Sequence, residues 1–306
     1  MFGLQHPVMC APMAMHSGGT LAAAVSAAGG MGSFGGIHVS GKAEWVRAEV
    51  ARVRDRTDRP FSIGFITPFL SFAESQFQAA LDARPAAIAL SFSDPGEWVH
   101  RAKDAGLRTI CQVQGFADAD AAIEAGADVL VAQGTEAGGH TGTMGLLPLL
   151  IGIAERYPEV VLLAAGGMSS GRALAAALLA GADGAWLGTA FLATPEAIEV
   201  DDDYKAAVVA SDGEDTVFTR TYDIASGLPW PSGIGARVRR DAFTDEWAEH
   251  EGELRQRRDA AAPGQPLYIG QSARFVDVIR PAAEVVRLVS EEAERFLLER
   301  PALLLN

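Results

Sequence analysis

Short apolar runs alternate with longer, Ala-rich amphipathic segments between Val8 and Gly188. Loops that contain Gly or Pro separate the two kinds of segment. This alternation is typical of repeated βα units, whose parallel strands lie buried beneath helices. The apolar runs predict eight strands, at Val8–Met15, Met31–Gly36, Phe61–Ile66, Ala86–Phe92, Arg108–Val113, Asp128–Ala132, Val160–Ala165 and Gly184–Gly188.

The amphipathic segments predict the helices that connect these strands. At the start of the fourth helix, Asp94 has the residue type of an N-cap and Pro95 that of a first helical position. Eight βα units favour a (β/α)8 TIM barrel over a doubly wound sheet. The predicted helices are Gly19–Ala28, Ala43–Arg56, Ala73–Ala83, Glu97–Ala105, Ala117–Ala125, Leu146–Arg156, Gly171–Ala180 and Val276–Leu298.

The pattern changes between the eighth strand and the last helix. Residues 195–266 are richer in charge, Gly and Pro, and they predict an inserted subdomain of one or two helices and a long loop that caps the site. The barrel then comprises residues 1–194 and 267–306. Trp230 lies between two prolines, and we favour a buried anchor for the insertion over a lid residue that contacts substrate.

Composition narrows the class of protein. The formal net charge is −14, and an acidic chain without a basic block argues against nucleic acid and anionic membrane surfaces as partners. Cys10 and Cys111 lie far apart in apolar runs, which indicates core residues in a reducing compartment. No apolar run reaches the roughly 18 residues of a membrane span, and the first residues lack the pattern of a signal peptide. We expect a cytoplasmic protein.

Candidate chemistry lies where the predicted strands end, because a barrel carries its active site at the carboxyl ends of its strands. Gly166 and Gly167 follow the seventh strand, and Gly188 and Thr189 follow the eighth. Glycine turns present backbone N–H groups to anions, and phosphate sites in barrels commonly form after these two strands. The sequence therefore favours a ligand that carries a phosphate.

The exit of the sixth strand carries a histidine in a glycine-rich loop. Gly138 and Gly139 let the backbone approach a flat ligand, and His140 is a candidate acid, base or hydrogen-bond donor. For Glu136, close by, we favour a structural role. The sequence lacks HExxH, CxxC, GxSxG and GxGxxG motifs, so we expect no metal site. A cofactor with its own reactivity, one phosphate and one flat ring fits the remaining features, and FMN is such a cofactor.

Several strings of residues together resemble the nitronate monooxygenase family, formerly called 2-nitropropane dioxygenases. This group of FMN-dependent TIM barrels includes flavin-type enoyl-acyl-carrier-protein reductases. The matching strings occur in order along the barrel. They are Ala11–Ala14, Gln133–Gly142 with its Gln-Gly-x-Glu-Ala-Gly-Gly-His pattern, Ala164–Met168, Gly181–Phe191 and Gly270–Ala273.

The resemblance implies a role for each matching residue. In such an enzyme His140 would be catalytic, as a base toward neutral nitroalkanes or as a hydrogen-bond donor to a nitronate. Pro12 and Met13 would flank the flavin ring, although the residues alone are equally consistent with core packing. The residues assigned to FMN are Pro12, Met13, Gln112, Gly138, Gly139, Gly166, Gly167, Gly188, Thr189 and Gln271, of which Gly166, Gly167, Gly188 and Thr189 would hold the phosphate.

The implied reaction is the oxidation of an alkyl nitronate by FMN and oxygen to a carbonyl compound and nitrite. Strand three departs from the family pattern at Ser62–Ile66, where relatives often carry an Asn, and this bears on substrate choice. Three alternatives stay open: an NAD(P)H-dependent reductase of an enoyl thioester or quinone, a flavin-binding protein without activity, and a flavin-free barrel with a phosphate-bearing substrate. A homo-oligomer is also compatible with the sequence.

Overall fold

A computed structural model describes residues 1–257 and 264–304 of the chain. Eight parallel strands form one sheet in the order β1-β9-β8-β6-β5-β4-β3-β2. A parallel bridge between Met9 and Met31 joins the two outer strands of that order, so the sheet closes into a barrel. The strands are β1 Val8–Cys10, β2 Gly32–Gly35, β3 Phe61–Ile66, β4 Ala87–Ser91, β5 Arg108–Val113, β6 Val129–Gln133, β8 Val161–Ala165 and β9 Gly184–Leu187.

Helices connect these strands, and the predicted TIM barrel is confirmed. Seven helices follow the barrel strands in turn, and a long C-terminal helix packs against the first and seventh helices. None of the described helices is long and apolar enough to cross a membrane. The helices of the barrel are α1 Gly19–Ala27, α2 Ala43–Arg54, α3 Glu74–Ala83, α4 Gly96–Asp104, α5 Phe116–Glu124, α6 Leu146–Arg156, α7 Gly171–Leu179, the short α8 Thr189–Leu192 and α13 Ala282–Leu304.

Two boundaries differ from the sequence-based expectation because of proline. Strand β1 ends at Cys10 rather than Met15, since Pro12 has no N–H to offer a ladder and the chain then turns. The last helix begins at Ala282 rather than Val276. Pro281 explains the difference, because a proline disfavours helical backbone in the residue before it, and a helix that began at Val276 would have to pass through that residue. A 3-10 helix, Gln271–Phe275, lies immediately before the predicted start.

The N-cap of α4 is one residue later than the predicted Asp94, although the helix begins one residue before the predicted Glu97. Pro95 is the N-cap and Gly96 the first helical residue. The Asp94 carboxylate still accepts a hydrogen bond from the Gly96 N–H at 2.9 Å, so it serves the helix start from one residue further out. At α6, the Glu136 carboxylate accepts from the Leu146 N–H at 3.1 Å, which confirms the structural role favoured for it.

The insertion holds more regular structure than the predicted one or two helices and a long loop. A three-stranded antiparallel sheet, in the order β10-β11-β7, joins the insertion to the exit of β6. Strands of three to five residues are too short for an alternating apolar and polar pattern to stand out in the sequence. The insertion contains α9 Asp202–Ala210, β10 Thr216–Thr219, α10 Thr221–Ser226, β11 Gly235–Arg239, α11 Ala242–Trp247 and α12 Glu251–Leu254, and β7 is Gly139–Thr141. Residues 258–263 of the predicted loop lie outside the described residues.

Side chains fill the interior of the barrel. Met9, Ile110, Val131, Leu163 and Trp186 belong to one buried cluster contributed by different strands. Trp186 also lines the cavity described below, so this packed layer closes the cavity at the barrel end. The larger core lies between the strands and the surrounding helices.

The two cysteines lie in this buried structure, as the sequence indicated. Burial raises the pKa of both the Cys10 and Cys111 thiols to about 12. Both thiols therefore stay protonated near pH 8, and the thiolate is the reactive form.

We expect the native protein to give no rapid reaction with DTNB and the denatured protein to give two thiols per chain. A fast-reacting thiol in the native protein would contradict the buried placement.

Candidate active site

A cavity of about 560 Å³ opens at the carboxyl ends of the barrel strands. Pockets of this volume suit small organic ligands and cofactors. The loops after the barrel strands build most of its wall, and the insertion supplies the rest. Of the described residues that line the cavity, Asp223 alone is a carboxylate and none is Lys or Arg. A bound anion would therefore depend on neutral hydrogen-bond donors there.

Glycine turns supply such donors after β8 and β9. Gly166 and Gly167 have φ angles of +92° and +74°, in the left-handed region that favours glycine. A Cβ on Gly167 would meet no atom within 4 Å, so this residue borders open space in the cavity. The backbone N–H groups of Gly166, Gly167 and Gly188 have no acceptor among the described residues. They are thus available to an anionic ligand, next to the N-terminus of α7.

Hydroxyl groups tie the surrounding segments together. The Ser169 hydroxyl donates to that of Ser272 at 2.8 Å, and the Gly270 N–H donates to the Thr189 hydroxyl at 3.1 Å. The loops after β8 and β9 are thereby fixed to the segment before α13. We call Gly166–Ser169, Gly188, Thr189 and Ser272 the glycine–hydroxyl part of the cavity. Its neutral donors and its open glycine backbone fit a phosphate group.

The loop after β1 forms a hydrophobic wall of the cavity. Pro12 and Met13 line it. Pro12 packs directly over Gly64 of β3, where a Cβ would lie 2.1 Å from the proline Cγ, so only glycine leaves room for it. Met15, also in the wall, is a non-glycine residue with φ of +67°. Strained backbone of this kind clusters at binding sites. Gln112 lines the cavity from β5 and gives this wall a polar group.

Contacts from two directions hold His140, the histidine at the exit of β6. His140 lies in β7, whose backbone pairs with β11 with Ala236 opposite His140. Its Nε2 lies 3.0 and 3.1 Å from the two carboxylate oxygens of Asp223 in α10. The exposed fractions of the two side chains are 11% and 7%. The Gln133 side chain donates a hydrogen bond to the His140 carbonyl at 3.0 Å, so both the main chain and the side chain of His140 are fixed.

Aromatic rings enclose the same imidazole. Trp230 stacks on His140 with centroids 3.6 Å apart and ring planes 15° apart. Phe69 and Phe92 each meet the Trp230 ring edge-on. Phe92 has φ of +77°, which is an outlier for a bulky residue, and like Trp230 it lines the cavity. We call Phe69, Phe92, Trp230 and Tyr268 the aromatic part of the cavity. Trp230 therefore lines the cavity and also packs against residues at the exits of the barrel strands, so it serves both as an anchor of the insertion and as part of the site wall.

Burial keeps three titratable groups of the cavity wall, Tyr268, Tyr222 and His16, neutral near pH 7. Burial, with a contribution from the Asp223 charge, raises the pKa of Tyr268. Burial, a hydrogen bond to Asp241 and the charge of that carboxylate raise the pKa of Tyr222. Burial lowers the pKa of His16, against the opposing effect of its hydrogen bond to the Ala14 carbonyl. Asp223 and His140 are left as the acid–base pair of the cavity wall.

The cavity brings together almost all of the residues singled out from the sequence. Gln271 is the exception: its side chain is exposed and Ser272 takes its place in the wall. Gly138 lines the cavity, but a Cβ there would lie 2.4 Å from the Gly270 nitrogen, so its close approach is to protein backbone. The predicted residues that line the wall are Pro12, Met13, Gln112, Gly138, Gly139, His140, Gly166, Gly167, Gly188 and Thr189.

Sequence reasoning missed the residues that the insertion and the strand ends add. Asp223 lies in a helix with no motif around it, and Tyr268 and His16 carry no spacing signal. A signal did exist for Trp230, since a tryptophan between two prolines in a Gly-rich segment is typical of a rigid exposed loop. No group of three or more His, Cys, Asp or Glu side chains within the described residues could hold a metal ion.

A closed parallel barrel with this cavity at the carboxyl ends of its strands has the architecture of a TIM-barrel enzyme. The family model for nitronate monooxygenase matches residues 1–79 and 71–289. A nitronate monooxygenase from Pseudomonas aeruginosa is 33% identical over 279 residues, which cover 75% of this chain and 78% of that one. The chain therefore belongs to the nitronate monooxygenase family. It is an oxidoreductase of a family of flavoproteins.

Solved structures agree with this assignment. A nitroalkane oxidase from Streptomyces ansochromogenes has a TM-score of 0.81 at 28% identity, over 98% of both chains. FabK from Thermotoga maritima has a TM-score of 0.83 at 27% identity, over 98% of this chain and 96% of that one. One match covers only part of the relative. A protein of Mycobacterium tuberculosis is 35% identical over 190 residues, and this alignment covers 48% of that protein's length.

The glycine–hydroxyl part can be tested by adding one methyl group. Gly167→Ala places a Cβ in open cavity space, where it would take up room next to a bound ligand. It also forces an L-residue to adopt a left-handed backbone conformation, which destabilises the folded protein by about 1–2 kcal/mol. We expect flavin to bind about tenfold more weakly or worse, measured by fluorescence titration of the flavin-free protein.

Gly126→Ala is the matched control. Gly126 has φ of +88° between α5 and β6, and its Cβ would contact only the end of the Lys103 side chain. It should lose thermal stability by a similar mechanism but bind flavin as the wild type does. Equal flavin affinity in all three proteins would remove Gly167 from the flavin site.

Proposed function

We propose that the protein is an FMN-dependent enzyme that oxidises alkyl nitronates, and neutral nitroalkanes after removal of a proton, to a carbonyl compound and nitrite with oxygen. The observation that carries the proposal is the pairing of two features in one cavity. His140 lies beside the aromatic part, held by Asp223, and the glycine–hydroxyl part offers neutral donors to a phosphate. The family assignment supports this reading of the two features.

The cavity suits FMN in particular among flavins. FMN carries one phosphate and one flat ring, and the glycine–hydroxyl part and the wall formed by Pro12 and Met13 match these two portions. The residues that would hold it are Gly166, Gly167, Gly188 and Thr189 at the phosphate, with Pro12, Met13, Gln112 and Gly139 along the ring. When bound, FMN would supply the electron acceptor for the nitronate and the electrons that reduce oxygen.

The chain's own residues would handle the proton and the environment. The His140 imidazole takes a proton from the carbon beside the nitro group of a neutral nitroalkane, and in its protonated form it donates a hydrogen bond to the resulting nitronate. Asp223 faces the imidazolium that forms. Phe69, Phe92 and Trp230 present apolar surface to the alkyl group and exclude water, which strengthens the electrostatic interactions of the buried pair.

The substrate class is tested by two assays on the FMN-loaded protein. We expect oxygen uptake and nitrite release with propyl-2-nitronate and no NADH consumption with an enoyl thioester. NADH oxidation coupled to an enoyl thioester or a quinone, without nitronate oxidation, would contradict the proposal. A purified protein that takes up no FMN would contradict it at the cofactor.

The role of His140 is tested by its substitution with alanine. His140→Ala should retain FMN, because the residues assigned to the phosphate lie on other loops. With a neutral nitroalkane we expect kcat/KM to fall by about 100-fold or more, the usual contribution of a general base. With preformed nitronate the fall should be less than about tenfold, since no proton has to be removed. Unchanged turnover of both substrates would exclude His140 from the reaction.

A further inference from the structure

We propose that Asp223 is a positioning residue for this reaction, and that it makes Nδ1 of His140 the atom that takes the substrate proton. This inference rests on the proposed function and adds to it the identity of the reacting nitrogen. It also assigns a task to the insertion, which supplies Asp223.

The contact determines which ring nitrogen carries the proton. An ionised carboxylate can only accept hydrogen bonds, so Nε2 of His140, at 3.0 and 3.1 Å from the Asp223 oxygens, must be the donor. A neutral imidazole has one N–H and one acceptor nitrogen. Nδ1 is then the acceptor, and it has no hydrogen-bond partner among the described residues. Only an acceptor nitrogen can remove a proton from substrate.

Charge at this position assists the same step. When Nδ1 takes a proton the ring becomes cationic, and the Asp223 carboxylate lies in contact with it at a site of low exposure. Burial holds Tyr268, whose ring centroid lies 5.7 Å from that of His140, in its neutral form, and it does the same for Tyr222 and His16 elsewhere in the wall. Asp223 is therefore the charged group that faces the imidazole from the described part of the chain.

The ring is also fixed in plane and in height by the insertion. Trp230 stacks on the imidazole at 3.6 Å, and β11 pairs with the backbone of His140. With the ring plane and main chain set by these contacts, the Asp223 contact selects the rotation of the ring about its Cβ–Cγ bond. Without it, the ring could present either nitrogen to the cavity.

The direct test is the proton position, which does not require turnover. Long-range ¹H–¹⁵N spectra of the ¹⁵N-histidine-labelled holoenzyme report which imidazole nitrogen is protonated, with His140→Ala identifying the signal. We expect His140 to be the Nε2–H tautomer in the wild type and to lose that uniform state in Asp223→Asn, whose amide can donate as well as accept. An Nδ1–H tautomer in the wild type, or an unchanged spectrum in Asp223→Asn, would overturn the inference.

Kinetics then separate positioning from general stability. Asp223→Asn should lower kcat/KM for neutral nitroethane by about 100-fold or more and that for preformed ethylnitronate by less than about fivefold. Asp223→Glu should restore part of the loss. FMN content should stay at the wild-type level.

The matched control is Asp241→Asn. Asp241 is another carboxylate of the insertion; it accepts from the Tyr222 hydroxyl and caps α11, and it does not contact His140. Asp241→Asn should lower the melting temperature without changing the ratio of kcat/KM between the two substrates. If Asp223→Asn lowers kcat/KM for both substrates by the same factor, as general destabilisation of the insertion would, Asp223 has no positioning role. If the wild type shows the Nε2–H tautomer but oxidises no nitronate, the proposed function fails while the tautomer assignment stands.

Discussion

The pairing of β7 with β11 is the interaction on which the site depends. Three residues at the exit of β6 form a strand only because a strand of the insertion lies beside them. A short strand alone has too few hydrogen bonds to hold its side chains in place. The barrel thus positions the start of this loop, the insertion positions His140, and neither part alone would bring His140 to Asp223.

The cavity divides into two parts for a reason that lies in the barrel itself. Parallel strands deliver all of their exits to one end, so turns from β8 and β9 and the histidine loop from β6 share one cavity. Glycine at the exits of β8 and β9 exposes backbone N–H groups, whereas Phe69 and Phe92 at the exits of β3 and β4 and Trp230 of the insertion supply aromatic side chains. One cavity therefore has a polar part with neutral donors and an apolar part that bears a histidine, which is the division that the proposed cofactor and substrate would need.

The local pattern of the sequence was enough to predict the barrel, the glycine turns of the wall and its histidine. Strand exits such as Gly166–Gly167 follow directly from buried runs whose position the βα rhythm determines. Asp223 was beyond reach, since 83 residues separate it from His140 and its helix has six residues. The contact depends on how the insertion packs, and no local propensity encodes that. For the same reason Trp230 could be placed in a loop but not against the imidazole.

The proposed function places a flavin phosphate at the turns after β8 and β9, in the same cavity as a histidine that the insertion holds. A crystal structure of the protein with bound FMN would test this placement. We expect the phosphate within hydrogen-bond distance of the Gly167 and Gly188 N–H groups, and His140 in contact with Asp223 through Nε2, with Nδ1 toward the substrate space. A phosphate bound elsewhere, or His140 turned away from the flavin, would contradict it.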